Sequence, residues 1–283
     1  MSRTFLITGV STGLGLATAR QALAAGHRVA GTVRTEEHAA AFNALDADRA
    51  RAFIIDMSDE DRIEPTVRAA EATFGPIEVL VANAGYGHEG TFEESTMAEL
   101  RRQFDVNVFA TVATMKAVLP GMRERRSGHI FVITSMGGLT TFPGVSFYHG
   151  SKYALEGIAD SLAQEVAQFG VRVTAVAPGA FATDWAGRSL VRAPRSIADY
   201  DELFDPIRAQ RQARAGGGIG DPDRAGEAIL AVLDANSPPV HLVLGSDALR
   251  LVAEGRRRVQ DDIEAWEKLS LSTDFPDGGQ TVG

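Results

Sequence analysis

Cysteine is absent from the 283-residue sequence, which excludes disulfides, thiolate metal sites and cysteine nucleophiles. No run of about 18 apolar residues occurs, so we expect no membrane-spanning helix. The strand-like run that begins at Phe5 leaves no space before it for a signal peptide. These features predict a cytoplasmic protein.

The 28 basic residues are outnumbered by 37 acidic ones. The net charge is -9, whereas nucleic-acid-binding proteins usually carry a basic face. Only three of the 28 basic residues are lysines, namely Lys116, Lys152 and Lys268. The six histidines form no H-x-x-x-H or H-E-x-x-H motif, so we expect no metal site. Because the net charge is negative, an anionic ligand would need a local cluster of basic groups.

Short apolar runs alternate with longer helical patterns, as in parallel sheets joined by crossover helices. The predicted strands are Thr4–Thr8, Arg28–Val33, Ala52–Asp56, Val79–Ala82, His129–Thr134, Arg172–Ala177 and Val240–Leu244. Their runs are almost continuously apolar, which is typical of strands covered on both faces. We predict an α/β protein with a doubly wound Rossmann fold, in which a seven-stranded parallel sheet lies between two helical layers.

Glycines mark the predicted ends of four helices: Gly26, Gly75, Gly121 and Gly170. Thr96 and Glu99 have capping-box spacing before a long helix expected to run to about Val118, and Asp221-Pro222 is a typical helix start.

The alternation is interrupted once, at about residues 181–220, where we predict a helical substrate lid. We expect a single dinucleotide-binding and catalytic domain over residues 1–269. It ends in an amphipathic helix from Asp247 to Leu269. Residues 270–283 are expected to form a flexible tail or to pack on a partner.

A glycine-rich turn follows the first strand and opens a helix. It contains Gly9, Ser11, Thr12, Gly13, Leu14 and Gly15. Glycines let the backbone approach a pyrophosphate, which the helix N-terminus favours. The spacing differs from G-x-G-x-x-G, and a strand-to-helix turn without a ligand is the alternative. We favour dinucleotide binding.

The second strand ends in Gly31-Thr32-Val33-Arg34-Thr35, without the acid that would bind the ribose hydroxyls of NAD. The guanidinium of Arg34 suits a 2′-phosphate instead, with Ser11, Thr12 and Thr35 as possible hydroxyl donors. The alternative is a solvated surface arginine. We predict a preference for NADP(H), with NAD(H) possible.

Polar residues follow the next two strands. Asp56 could accept from an adenine amino group and Met57 could pack on the ring, although Asp56 could equally cap the turn at Ser58. Asn83, Ala84 and Gly85 follow the fourth strand, where the sheet edge would approach a cofactor.

The central feature is Tyr148-His149-Gly150-Ser151-Lys152. Residues four apart share one helix face, which brings the phenol of Tyr148 near the ammonium of Lys152. A nearby cation stabilises the phenolate and lowers the pKa of a phenol from about 10. The pair is therefore a candidate for proton transfer.

Ser135 follows the fifth strand and could hydrogen-bond a reacting oxygen at the same sheet edge. Asn107 lies inside the long helix. There an amide can be a functional group or an internally satisfied polar residue.

Together these motifs resemble the short-chain dehydrogenase/reductase family. The family shows, in order, a T-G-x-x-x-G-x-G turn, N-A-G, an Asn, a Ser, Y-x-x-x-K and P-G. The matching residues are Thr8 to Gly15, Asn83 to Gly85, Asn107, Ser135, Tyr148 with Lys152, and Pro178-Gly179. The likeness spans about residues 4–183. The Gly-Thr-x-Arg segment of the second strand resembles the hydroxysteroid- and retinol-dehydrogenase-like branch.

The resemblance implies hydride transfer between a nicotinamide and a secondary alcohol, ketone or aldehyde. Tyr148 would exchange the proton, Ser135 would orient the oxygen, and Lys152 would bind the nicotinamide ribose. Asn107 would hold a water that connects Lys152 to solvent.

The resemblance also extends to the segment after the sixth strand. Phe181 and Thr183 match positions that contact the nicotinamide, just after Pro178 and Gly179. The family further implies a homodimer or homotetramer.

Candidate pocket residues are Tyr86, His88, Met136, Leu139, Phe142, Phe147, Phe181 and Trp185, so we expect a small substrate with apolar surface. His149 should point elsewhere and be packed or solvated. Two other readings stay open: a catalytically silent NADP-binding sensor or scaffold, and an epimerase or dehydratase, which would usually need a larger C-terminal domain.

Overall fold

The computed structural model describes residues 2–213 and 216–275, with only the backbone of Ala186. Within these residues the strands are β1 (Thr4–Ile7), β2 (Arg28–Val33), β3 (Ala50–Ile54), β4 (Val79–Ala82), β5 (Gly87–Glu89), β6 (Gly128–Ile133), β7 (Val171–Pro178), β8 (Leu190–Arg192) and β9 (His241–Leu244). The α-helices are α1 (Gly13–Ala24), α2 (Glu36–Asn43), α3 (Ile63–Phe74), α4 (Met97–Phe104), α5 (Ala110–Arg125), α6 (Ser146–Val166), α7 (Asp201–Ala213), α8 (Pro222–Leu233) and α9 (Ser246–Leu271).

Seven strands form one parallel sheet in the order β3-β2-β1-β4-β6-β7-β9. The chain reverses its direction of travel across the sheet after β3, so the β1 and β4 ends flank the switch point at which such sheets bind ligands. The predicted doubly wound fold is confirmed. Each predicted strand overlaps an observed one.

Helices cover both faces of the sheet because alternate strand residues point to opposite sides. One apolar layer joins the strands to α3, α5 and α6 through residues such as Phe74, Met122 and Leu155. The other joins them to α1, α2 and α8 through Leu23, Phe42 and Ile229. These are the three predicted layers.

Gly26, Gly75 and Gly170 have positive φ angles of 84°, 83° and 68° just after helical segments, as predicted. The prediction for Gly121 is wrong. It lies inside α5, which continues because Met122 is fully buried, and ends before left-handed Arg126 (φ 55°).

The long predicted helix is divided by one π-helical turn at Asp105–Phe109, between α4 and α5. The capping box at Thr96 and Glu99 and the Asp221 cap of α8 are both present.

The segment predicted as a lid contains β8 and α7. Strand β8 pairs in parallel with β5 in a second, two-stranded sheet that the sequence did not predict. Helix α9 extends through Leu271, two residues further than expected. The remainder of the predicted tail from residue 276 lies outside the described residues. In the described part of the chain, no helix is both long and apolar enough to cross a membrane.

Candidate active site

The turn after β1 needs its glycines. Gly9 and Gly13 have φ angles of 74° and 62°, which side chains disfavour. A β-carbon on Gly15 would lie 2.3 Å from the Gly9 carbonyl oxygen. Thr12 precedes α1 without a side-chain cap hydrogen bond, and the first turn of α1 carries no acidic residue. These features fit a dinucleotide pyrophosphate, because backbone N–H groups at a helix N-terminus favour anions.

Neighbouring strands brace this turn. The Asn83 side-chain amide donates to the carbonyls of Thr8 (2.8 Å) and Gly9 (3.1 Å). The Thr8 hydroxyl accepts from the backbone N–H groups of Asn83 and Ala84, both at 2.9 Å. The Gly9 N–H donates to the Thr32 hydroxyl at 2.9 Å. The Asn83 amide therefore shapes the glycine turn.

The residues predicted to contact the adenosine half lie along one edge of the sheet. Arg34 and Thr35 are exposed directly after β2, and Thr35 also caps α2 by accepting from the His38 N–H. Asp56 accepts hydrogen bonds from both the N–H and the hydroxyl of Ser58, at 3.0 and 2.8 Å. These two hydrogen bonds are the main reason that the pKa of Asp56 is lowered. Met57 is buried, with its sulfur 3.8 Å from the Thr32 hydroxyl.

Three of the predicted catalytic residues meet beyond the carboxyl end of β6. Ser135 follows that strand, and its hydroxyl accepts from the Gly137 N–H at 3.0 Å. Tyr148 and Lys152 lie one turn apart on α6, and Lys152 Nζ is 5.8 Å from the centre of the tyrosine ring. The same Nζ donates to the carbonyl of Ile133 at 2.8 Å. Strand β6 thus supplies both Ser135 and the anchor for Lys152.

Burial governs the charges of this group. It raises the pKa of Tyr148 to about 12, although a hydrogen bond with the Ser135 side chain opposes the rise. Burial also lowers the pKa of Lys152 to about 8, opposed by the carboxylate of Glu156. The predicted lowering of the Tyr148 pKa by Lys152 is therefore wrong for this structure, in which desolvation raises the pKa.

Asn107 lies in the π-helical turn and is fully buried. Its side chain accepts from the Tyr86 N–H (3.0 Å) and donates to the Tyr86 carbonyl (2.9 Å) and the Ser151 hydroxyl (3.2 Å). A β-carbon on Gly85 would lie 3.1 Å from Asn107 Oδ1 and 3.8 Å from Lys152 Nζ. The amide therefore joins the segment after β4 to helix α6.

Comparison with known proteins agrees with this geometry. The sequence model for short chain dehydrogenases matches residues 3–191. The chain belongs to the short-chain dehydrogenase family. It is 33% identical to Oxidoreductase BOA17 of Botryotinia fuckeliana, over 96% of this chain and all of that protein.

Two further similarities cover most of the chain. Human retinol dehydrogenase 8 is 34% identical, over 84% of this chain and 80% of that protein. The crystal structure of a short-chain dehydrogenase from Streptomyces avermitilis superposes with a TM-score of 0.90. It is 39% identical and covers 97% of this chain and 100% of that chain. This short-chain dehydrogenase is therefore an oxidoreductase of a family that binds NAD(P).

The dehydrogenase also contains buried polar groups below the active site that the sequence analysis missed. Glu156, one turn after Lys152 on α6, contacts the Thr134 hydroxyl and, at 2.8 Å, His241 Nδ1. His241 Nε2 lies 3.7 Å from Asp160. The spacing of residues 148, 152, 156 and 160 was the available signal, because all four share one helix face.

Asp247 was also missed. Its carboxylate accepts from the Ala180 N–H at 2.9 Å, and a β-carbon on Gly179 would lie 2.3 Å from it. Helix α9 thus holds the loop after Pro178. Thr183 in that loop approaches the glycine turn, since its Cγ2 would be 3.7 Å from a β-carbon on Gly13. The two predicted cofactor segments therefore face each other.

The predicted pocket residues divide into two groups. Trp185 lies beside Tyr148, with 5.2 Å between ring centres. The pocket prediction is not supported for His88 and Phe147, which are buried and stack on each other at 5.2 Å.

His149 is buried, with Nδ1 2.7 Å from the Gly137 carbonyl and Nε2 accepting from the Phe142 N–H at 2.9 Å. It is packed, and it positions the loop that carries Met136, Leu139 and Phe142.

Buried carboxylates attach the predicted lid to the body of the dehydrogenase. The side chain of Glu89 is completely buried and pairs with Arg192, Arg208 and Arg211 at 3.0, 3.3 and 3.1 Å. Glu94 accepts from the N–H groups of Ser196 and Ile197 and pairs with Arg195, and chiefly the Ser196 bond lowers its pKa to about 2. The ion pairs of Glu89 therefore hold β8 and α7 against the body of the protein.

Proposed function

We propose that this dehydrogenase interconverts a secondary alcohol and a ketone, or an alcohol and an aldehyde, with NADP(H) as cofactor. The observation that carries the proposal is the convergence of Ser135, Tyr148 and Lys152 at the sheet edge that also holds the glycine turn. Reduction consumes the carbonyl compound, one NADPH and one proton, and yields the alcohol and NADP⁺. When bound, the nicotinamide supplies the hydride in this direction.

The protein residues would handle the carbonyl oxygen and its proton. Ser135 is placed to donate to the oxygen and to hold it near Tyr148. Tyr148 would then donate its proton, for which a pKa raised to about 12 keeps the phenol protonated at neutral pH. Charged Lys152 would stabilise the phenolate that results, as well as bind the nicotinamide ribose. Asn107 is proposed to hold a water that leads from Lys152 to solvent.

The substrate would be a small molecule with apolar surface, since the ring of Trp185 lies beside Tyr148. Retinol dehydrogenase 8, by its name, acts on retinol. We also propose the cytoplasm as the location, which cell fractionation would test.

The preference for NADP(H) is proposed from Arg34. It is exposed at the end of β2, where the segment Gly31–Thr35 contains no acid to bind two ribose hydroxyls. An exposed guanidinium can form charge-assisted hydrogen bonds with a 2′-phosphate.

Turnover is tested with Tyr148→Phe. We expect NADPH consumption with at least one member of a panel of ketones and aldehydes. The variant should lose this activity by roughly 10²-fold or more, because general acid catalysis is lost. NADPH affinity, measured by fluorescence titration, should change little. Equal turnover in the variant would contradict the mechanism, and binding without turnover across the panel would favour the silent sensor.

Cofactor preference is tested by titrating NADPH and NADH into the parent and into Arg34→Ala. We expect the variant to lose roughly tenfold or more in NADPH affinity, as a hydrogen bond to a charged group is removed. NADH affinity should stay the same. Tighter binding of NADH by the parent would refute the proposed preference.

A further inference from the structure

The second half of α9 extends beyond the body of the protein. The first half of α9 packs on the body through the buried residues Ala248, Val252 and Gly255. The Arg258 guanidinium donates to the Thr140 hydroxyl at 3.3 Å. Every residue from 256 to 275 is exposed. At 1.5 Å per residue, the helix from residue 259 to its end projects by about 20 Å.

An apolar stripe continues along this projection. At 100° per residue, Val259, Ile263 and Trp266 share the face of Ala248 and Val252, within an arc of about 60°. They are 60%, 57% and 62% exposed. Such a short helical extension is only marginally stable in water by itself, so a stripe of this kind indicates a docking surface.

The charges beside the stripe indicate its partner. Three consecutive arginines, Arg256 to Arg258, stand at the base of the projecting segment, and four acids lie further along the helix: Asp261, Asp262, Glu264 and Glu267. Two antiparallel copies would place the arginines of each helix opposite the acids of the other. A parallel pair would place like charges together.

We infer that α9 pairs antiparallel with α9 of a second copy of this chain. Two-fold symmetry makes the contact self-complementary, since the same stripe and the same charges occur on both helices. Arg256 and Glu267 flank the stripe on the same side, so Arg256 of each helix lies opposite Glu267 of the other. The apolar stripes of the two helices, formed by Val259, Ile263 and Trp266, pack against each other at the centre of the interface.

The oligomer is tested by sedimentation velocity on the full chain. The parent should sediment as a dimer or a larger even-numbered assembly, and Ile263→Asp should halve the mass at the same concentration. Ala265→Asp, on the outer face two residues away, is the matched control and should assemble like the parent. A monomeric parent, or an Ile263→Asp protein of unchanged mass, would overturn the inference.

Charge reversal tests the orientation. Arg256→Glu and Glu267→Arg should each weaken association by roughly tenfold or more, and the two changes in one chain should restore it, because the opposite signs again face each other. Arg257→Glu, on the outer face, is the control for net charge. A double variant as weak as the single variants would exclude antiparallel pairing.

The absence of native cysteine permits a direct test of proximity. Asp262→Cys lies near the proposed two-fold axis beside the stripe, and mild oxidation should convert it to a disulfide-linked dimer. Glu264→Cys lies on the outer face and should not be linked. Equal linking of both variants would contradict the geometry. Binding of the parent to phospholipid vesicles that Ile263→Asp abolishes, with no change in mass, would instead assign the stripe to a lipid surface.

Discussion

Glu156 has a chemical consequence for its neighbour on α6. The Lys152 ammonium is buried, which lowers its pKa to about 8, and the Glu156 carboxylate partly offsets that effect. Glu156 also faces Thr134, just after β6, and His241 of β9, and His241 in turn faces Asp160. The charge of Lys152 at physiological pH therefore depends on the carboxylate of Glu156, one turn further along α6.

We expect Glu156→Gln to shift the alkaline limb of the pH–activity profile to lower pH. Removing the carboxylate lowers the pKa of Lys152 further, so the ammonium deprotonates at lower pH and phenolate stabilisation is lost there. The measurement is kcat/KM for carbonyl reduction between pH 6 and 10. Asp160→Asn, which changes the outer partner of His241, is the control. If Glu156→Gln lowers kcat/KM equally at every pH and leaves the alkaline limb in place, the carboxylate has a structural role alone.

At the level of single residues, the sequence predicted the groups that come directly after strands or share a helix turn. The proximity of Ser135, Tyr148 and Lys152 was predictable because strand ends and four-residue spacing both have a defined geometry. Asp247 could not be found in this way. Its role depends on β9 lying beside β7, and no local pattern reveals that neighbour.

At the scale of elements, α4 and α5 illustrate where sequence patterns fail. The predicted helix is present, but a π-helical turn interrupts it at Asn107 because the side-chain amide bonds to the backbone of Tyr86, far along the chain. Gly121 was assigned to a helix end on its intrinsic preference. Burial of Met122 outweighs that preference, since tertiary packing commonly overrides local propensity.

The attachment of the lid yields a prediction for Glu89→Gln. Removing one partner of a buried ion pair costs about 3–5 kcal/mol, because the remaining charges lose their compensation. We expect the segment with β8 and α7 to loosen, and limited trypsin digestion to cleave it faster than in the parent. Glu93→Gln, which removes an exposed carboxylate bonded to Tyr200 at 3.0 Å, is the matched control. Equal cleavage rates for parent and Glu89→Gln would contradict this role for the carboxylate.

For the whole molecule, the fold was predictable because its signal is repeated in every strand and crossover helix. Both faces of the sheet are covered, so each strand is a short apolar run and each helix has one apolar face. The β5–β8 pair escaped prediction because each strand has only three residues. The pairing depends on where the lid segment packs against the residues that follow β4.

Acid sensitivity of the whole protein should depend on His129. Burial lowers its pKa to about 3, and Nε2 contacts the Thr174 hydroxyl at 2.9 Å. The unfolded chain binds a proton near pH 6.5 whereas the folded protein does not. The contribution of His129 to the free energy of unfolding is therefore complete above pH 6.5 and is lost as the pH falls towards 3.

The expected slope from this histidine is at most about 1.4 kcal/mol per pH unit. Urea unfolding at pH 7.5 and 5 measures it. In His129→Phe, whose ring can stack on Phe131, the difference between the two pH values should shrink. An unchanged difference would show that other groups dominate the acid response.

The crowding around Gly31, at the end of β2, limits which residues of this protein could change to favour one dinucleotide over the other. A β-carbon on Gly31 would lie 2.4 Å from Val10 and 2.9 Å from Phe42, and the Thr32 hydroxyl is already engaged with Gly9. Arg34 and Thr35 are the first exposed positions after the strand. A lineage that exchanged one dinucleotide for the other would thus change Arg34, Thr35 or the hydroxyls of Ser11 and Thr12 rather than the crowded Gly31 and Thr32.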